Sequence, residues 1–528
     1  MKRDHNLDRF VTPWPALVCS ALLVACGGGG GGTRTAADAA PTSQFAAGTV
    51  TGFGSVYVDG VRMDDAQAAV QSEDADGAAT NTALQLGHRV RVTHDGSGRA
   101  TRVLVDAAVI GRVSAIDSAG GRFTAAGQSV VVNGDPSIGP VTAFGGGYTS
   151  FSALSVSDIV EVHGSPVFIG GQWSVRATRV EKRIDNPGLR VAGVAGSVVK
   201  AAGGQRFQLG GLTVDFSQAL AAGRVTPSVE QLADGAAVRV FASSTSLSGA
   251  TLVASAVRIG GERDGVAAAT TVQLGGPVSS FDSTAGSFRL EGALVRFSAA
   301  QVSPDRALLG PGSWVKVTGV IAADGSVDAA RIEVRQGNIE SDAARVKLIG
   351  PISDLNNVNS FIVRELAVDA SGVTSRPGCP ATLVDGLVVD VTAQLQANSD
   401  VLLASSLSCL SGSADSKAVR PAGGRIVAID AGARVLTVSS REAAMQQIAW
   451  TDATAFVGRG LAGSSSLAVG MDVRAEGIIE AGVFTARSIS LLGARSVDRF
   501  RKALPPGVAT EASEVSVRWE EYFNRPRP

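Results

Sequence analysis

Helical periodicity is almost absent from this chain, and so are the side chains on which most enzymes rely. Aromatics make up 5% of 528 residues, with four histidines and four cysteines. So small a stock of imidazole and thiol leaves little for a metal centre or a thiol active site. An excess of either charge is also missing. Lys and Arg number 47 against 48 Asp and Glu, for a formal net charge of −1, which argues against a chain-wide electrostatic footprint for nucleic acid. There is no G-x-S-x-G at a strand-to-helix turn. The glycine runs 27–32 and 145–147 are not phosphate cradles, because neither lies between a strand and a helix with a following Lys. What the chain does have is 45% apolar residues, 64 glycines and 19 prolines. That composition suits packed cores built from short elements joined by many turns.

The first 25 residues, MKRDHNLDRFVTPWPALVCSALLVA, read as a secretory leader. Lys2, Arg3 and Arg9 precede an apolar run, Ala16–Ala25, with about half the residues a helix needs to cross a bilayer. Leu23-Val24-Ala25-Cys26 resembles the lipobox of bacterial lipoproteins. That resemblance implies cleavage before Cys26 and acylation of Cys26 on sulfur and on its new amino group. At about 0.8 kcal/mol per buried methylene, three acyl chains form a stable anchor. Gly27, rather than Asp, implies the outer membrane in a host with two membranes. The following GGGGGGTRTAADAAPTSQFAAG cannot bury a core and reads as a flexible tether, with a reach of roughly 25 Å.

Three anchors then recur in order, six times. The first is Gly-x-Val/Ile, beginning at Gly48, Gly111, Gly196, Gly276, Gly350 and Gly424. The second is Leu-x-x-Gly/Ser-x-x-Val-x-Val/Ala, beginning at Leu84, Leu154, Leu232, Leu309, Leu383 and Leu467. The third is Ala-x-x-aliphatic, beginning at Ala100, Ala177, Ala254, Ala329, Ala404 and Ala486. Period-two runs such as HRVRV, SWVKV and LVVDV place Val on one face of a strand and charge on the other. The segment 228–234 is the best helical candidate. The expected fold is therefore all-β: a tandem array of six small antiparallel β-barrels, pictured as beads with neighbours packed edge to edge in places, with a continuous elongated β stack as the alternative. The boundaries are a leader (1–25), a tether (26–45), repeats at 46–108, 109–184, 190–262, 270–336, 345–412 and 421–492, and a tail (493–528).

A lipobox, a glycine-rich tether and this set of anchors resemble bacterial lipoproteins built from the DUF5666 domain, over roughly residues 46–492. The resemblance implies a small OB-like barrel in an envelope protein, and it supplies no catalytic residues. Gly164 and Gly319 keep the glycine that follows the paired valines in that pattern, whereas Thr93 and Ala242 stand elsewhere.

Few residues invite a chemical role. Cys379 and Cys409, the two cysteines beyond Cys26, sit in repeat five; a disulfide between them would fasten the insert RPGCPATLVDG to the closing strand. His88, His94 and His163 read as solvated turn residues rather than a metal site. Asp64, Asp65, Glu73, Asp74 and Asp76 read as a solvated acidic loop, since the remaining oxygen ligands of an EF-hand are missing. Phe144, Tyr148 and Phe151 flank a glycine run and form the best candidate for stacking on a sugar. The tail carries Trp519, Tyr522 and Phe523 and reads as a disordered end or a docking segment. The expected role is non-catalytic binding or scaffolding at the cell envelope, without metal or cofactor. The expected partners are the membrane, through the anchor, and an envelope protein or glycan, with no nucleic acid. The alternatives are a carbohydrate- or peptidoglycan-binding lipoprotein using the 144–151 loop, and an envelope hydrolase with a site between repeats.

Overall fold

The computed structural model of the chain describes residues 45–73, 79–183, 188–260, 266–335, 345–410, 420–439, 445–457, 463–480 and 483–491. Cys26, Asp74, Asp76 and the aromatic tail lie outside them. Repeat two shows the plan. Its strands are Val109–Asp117, Arg122–Ala125, Gln128–Val132, Ile159–Ile169 and Gln172–Arg183. The first pairs antiparallel with the second and the fourth, and the second with the third. The fifth pairs antiparallel with the fourth and parallel with the third, so the pairing returns to its start and leaves no ring edge open.

The same cycle recurs in repeats four, five and six. In repeat three the fifth strand is split into Thr251–Val253 and Ala256–Ile259. In repeat one a single parallel bridge, Asp64 to Arg99, closes the ring. The one α-helix among the described residues is the five-residue Ser217–Ala221, and the helical expectation at 228–234 reduces to a 3-10 turn, Val229–Gln231.

The anchors have mechanical roles. The fourth residue of the second anchor is left-handed in all six repeats: Gly87, Gly235, Gly312, Gly386 and Gly470 at φ between 80° and 93°, and Ser157 at 76°. Glycine adopts that conformation without strain. In five repeats its N–H donates to the carbonyl of the third residue of the first anchor, as from Gly312 to Val278 at 2.8 Å. Repeat three corrects the sequence reading. There Gly235 donates to Ala195, and Gly193 rather than Gly196 stands opposite Val238. The true first anchor is thus Gly193-Val194-Ala195, three residues earlier. The third anchor marks a bulge: Ala177, Ala329 and Ala486 face Gly164, Gly319 and Gly477 where the register slips. His94 takes the bulge position in repeat one, opposite Ala100.

The bead picture does not hold. The first strand of repeat one, Phe45–Phe53, pairs in parallel with the first strand of repeat four through Phe45–Ala47, and with that of repeat five through Gly52 and Phe53. Repeats one, four and five therefore share one sheet. Repeats two and three share another, joined by Arg190 and Val191 against Ile110 and Val109, and also share a single apolar core. Repeat six has a sheet and a core to itself.

Candidate functional site

The stacking loop does not face solvent. Phe144, Tyr148 and Phe151 are all buried in the core of repeats two and three. The Tyr148 hydroxyl donates to Asp158 at 2.5 Å, and Ala143–Gly145 adds a short strand beside the fifth strand of its repeat. Burial of the phenol, then the Asp158 hydrogen bond, raises the Tyr148 pKa. These aromatics close the end of the apolar core, so they have no free ring face for a sugar. Cys379 and Cys409 form a disulfide, and Cys409 N–H donates to Pro377 at 2.9 Å. The insert of repeat five is thereby tied to the end of the closing strand.

The polar chemistry lies instead where repeats one, two and three meet. Asp106, in the connection from repeat one to repeat two, is buried among three arginines. Arg91 approaches at 3.3 Å and Arg239 at 2.8 Å, and Arg190 pairs with the same carboxylate. Burial would raise the Asp106 pKa, but Arg239, Arg190 and Arg91 outweigh it and hold the carboxyl well below its ordinary range. Glu73 lies beside this clamp, 3.6 Å from Arg190 and paired with Arg258. Arg190 and Arg258 also lie over the ring of Phe241. Glu73 is thus a buried bridge between repeats one and three, not part of a solvated acidic loop. The reason is its place on Ala69–Glu73, which pairs parallel to the closing strand of its repeat.

All three histidines are buried, against the solvated reading. The turn 85–88 of repeat one docks on the fourth and fifth strands of repeat two: Thr178 Oγ1 donates to the Gly87 carbonyl at 2.6 Å, and Arg179 to that of Leu86 at 3.0 Å. This docking sets His88 against His163, with ring centroids 4.4 Å apart and the rings tilted by 40°. Glu161 and Glu181 face each other across the strand pair and are matched by Arg183 and Arg179. Burial opposes ionisation of Glu161, yet His163 and then Arg183 hold its pKa at about 2. Glu181 is likewise well below the ordinary range, with Arg179 and His88 outweighing burial. His88 is lowered to about 4 by burial and by His163.

His88, His163 and Glu181 bring ligand atoms within 4.8 Å of one another, so this trio, without His94, is the closest approach to a metal site among the described residues. Its hydrogen bonds do not suit one. His88 Nδ1 accepts from Gln85 N–H at 3.2 Å, which leaves the ring proton of the neutral form on Nε2. Glu181 Oε1 is already paired with Arg179, and the two carboxylates are neutralised by two arginines before any cation arrives. His163 Nδ1 lies 3.1 Å from the Asp106 carbonyl and must donate to it, while Nε2 lies 3.2 Å from Glu161. The cluster is an ion-pair network that joins two repeats.

A third junction joins repeats one and four. Arg89 donates to the Gly275 carbonyl at 2.9 Å and to Thr49 Oγ1 at 3.2 Å, and pairs with Glu291 at 3.4 Å. Asp59 lies beneath Gly48 and Gly275, where a Cβ on either would run into its carboxylate. Sequence reading missed these arginines. They sit at period-two positions expected to face water, and each faces another repeat instead.

No curated protein matches the chain. Among solved structures, a chain described as "drosophila Unr CSD456" is similar at 13% identity with a TM-score of 0.13, over 42% of this chain and 96% of that one. The family model "Domain of unknown function (DUF5666)" matches residues 110–181, 275–333 and 423–490. Three of the six repeats, the second, fourth and sixth, therefore match that domain.

Proposed function

We propose that this chain is a lipid-anchored scaffold of the cell envelope, held at the outer membrane through Cys26, whose six OB-like barrels bind or position a partner without catalysis. One observation carries the reading. Buried charged and imidazole side chains join repeat to repeat among repeats one to four, through Asp106, Glu73, the His88–His163 contact and Arg89. A frame whose modules are held at fixed positions can present several weak contacts together, and such contacts gain strongly from fixed spacing. The lipobox and the tether supply the address. Palmitate labelling of the wild type and of Cys26→Ala, followed by separation of inner and outer membranes, tests it. Label in the outer membrane, lost in the variant, is the expected result; label absent from both chains removes the anchor. Crosslinking in intact cells then tests for an envelope protein partner.

A further inference from the structure

One buried guanidinium, that of Arg335, has two nitrogens without an acceptor among the described residues, and it lines a cavity. Arg335 ends repeat four; its backbone N–H donates to the Trp314 carbonyl at 2.8 Å. The side chain is 9% exposed, and its Nε and Nη1 have no hydrogen-bond acceptor. A buried charged donor left unpaired is expensive, so something should accept from it. The nearest acidic influence is Asp59, which makes no ion pair with it. That carboxyl is enclosed by Gly48 and Gly275; its Oδ2 accepts from Thr49 N–H at 3.3 Å, and its Oδ1 has no hydrogen-bond partner among the described residues. Burial raises the Asp59 pKa against the pull of Arg89 and Arg335.

The cavity measures about 30 Å³, and four repeats contribute to its wall. Thr49 and Thr51 come from repeat one, Pro140 from repeat two and Gln394 from repeat five, with Arg335 and Arg345 at the two ends of the connection between repeats four and five. No carboxylate is among the described residues that line it. The Thr49 hydroxyl accepts from Arg89, and the Thr51 hydroxyl accepts from Gly60 N–H; neither makes a hydrogen bond to Arg335 Nε or Nη1. The space admits roughly one or two water-sized occupants. Sulfate and phosphate are too large for it.

We propose that this cavity is a binding site for a small monatomic anion of chloride size, which accepts from Arg335 and acts as a keystone where repeats one, two, four and five meet. An anion fits better here than water. The wall brings positive charge with no lining carboxylate, and in a poorly solvated site the attraction between opposite charges is stronger than in water.

The test is thermal unfolding of the purified protein at constant ionic strength, replacing sodium gluconate stepwise by sodium chloride. The expected result is a saturable rise in the unfolding temperature of about 2–4 °C, absent from Arg335→Met, which retains a cooperative transition. Identical curves in gluconate and chloride for the wild type overturn the site and leave the cavity to water. A wild-type rise that Arg335→Met reproduces in full overturns the assignment to Arg335. Should Arg335→Met not fold, wild-type crystals grown in bromide decide the matter. An anomalous peak within hydrogen-bond reach of Arg335 supports the site, and an empty or water-filled cavity in those crystals sinks it.

Discussion

Repeats two and six are built on one ring plan yet are held in place quite differently. Repeat six keeps its own sheet and core, and reaches other repeats through exposed or half-buried hydrogen bonds. Arg487 donates to the Ala66 carbonyl at 2.8 Å, and Ser490 to Glu365 at 2.8 Å. Repeat two shares its core with repeat three and contributes His163, Glu161, Glu181 and Arg179 to a buried junction with repeat one. The contrast separates two jobs of the sequence. Closing a ring requires alternating apolar residues, one left-handed turn and one bulge, and repeat six has all three. Choosing a neighbour requires buried charge, because an unmatched buried ion penalises every wrong docking.

The comparison predicts that Asp106→Ala is far more damaging than any polar truncation in repeat six. It leaves Arg91, Arg190 and Arg239 around an empty place, at a cost of about 3–5 kcal/mol. Denaturant unfolding should show repeats one to three losing stability together. A loss below about 1 kcal/mol would mean the clamp contributes little to holding the repeats.

Acid should act on the same junction. His88 has its pKa lowered to about 4 in the folded chain against 6.5 unfolded. Its stabilising contribution is therefore complete above about pH 6.5 and lost as pH falls through the window down to about 4, a change on the order of 3 kcal/mol. His94 shifts in the same direction through burial. His88→Gln should flatten most of the slope of stability against pH in that window. An unchanged slope would place the acid sensitivity elsewhere.

The shared turn offers a reciprocal exchange. Ser157 holds φ 76° where Gly470 holds 93°. Ser157→Gly should stabilise repeat two, and Gly470→Ser should destabilise repeat six, each by about 0.5–1 kcal/mol. Melting temperatures moving in the same direction would refute a common turn. The smallest effect is expected of Arg487→Ala, below about 1 kcal/mol in the same unfolding measurement. A larger cost would show that repeat six is fastened more firmly than its contacts suggest.

The parts of this molecule that depend on local chemistry are legible in its sequence. The second anchor located all six left-handed turns, including the one at Ser157, because a fixed spacing between a leucine and paired valines reflects the ring itself. The first anchor slipped in repeat three because Gly193 and Gly196 both precede aliphatic residues, and only register distinguishes them. The buried histidines and arginines were misread for a different reason. Arg89, Arg190 and His163 occupy outward positions on their own rings, where alternation predicts water. What covers them is another repeat, more than 180 positions away in the case of Arg89 and Gly275. The 144–151 aromatics were misread because a glycine-rich stretch suggests a free loop, whereas here it lets the chain fold back over the core.

The pairing of Phe45–Ala47 with Val272–Leu274, and of Gly52 and Phe53 with Lys347 and Leu348, has a consequence for synthesis. The strand Phe45–Phe53 lacks two of its bonded neighbours until some 220 to 300 further residues have followed. During that interval its outer edge is exposed and open to wrong partners. Contacts so distant along the chain form slowly. Completion of the first module is therefore timed by delivery of the fourth and fifth, which gives any factor that shields nascent edges a defined period in which to act.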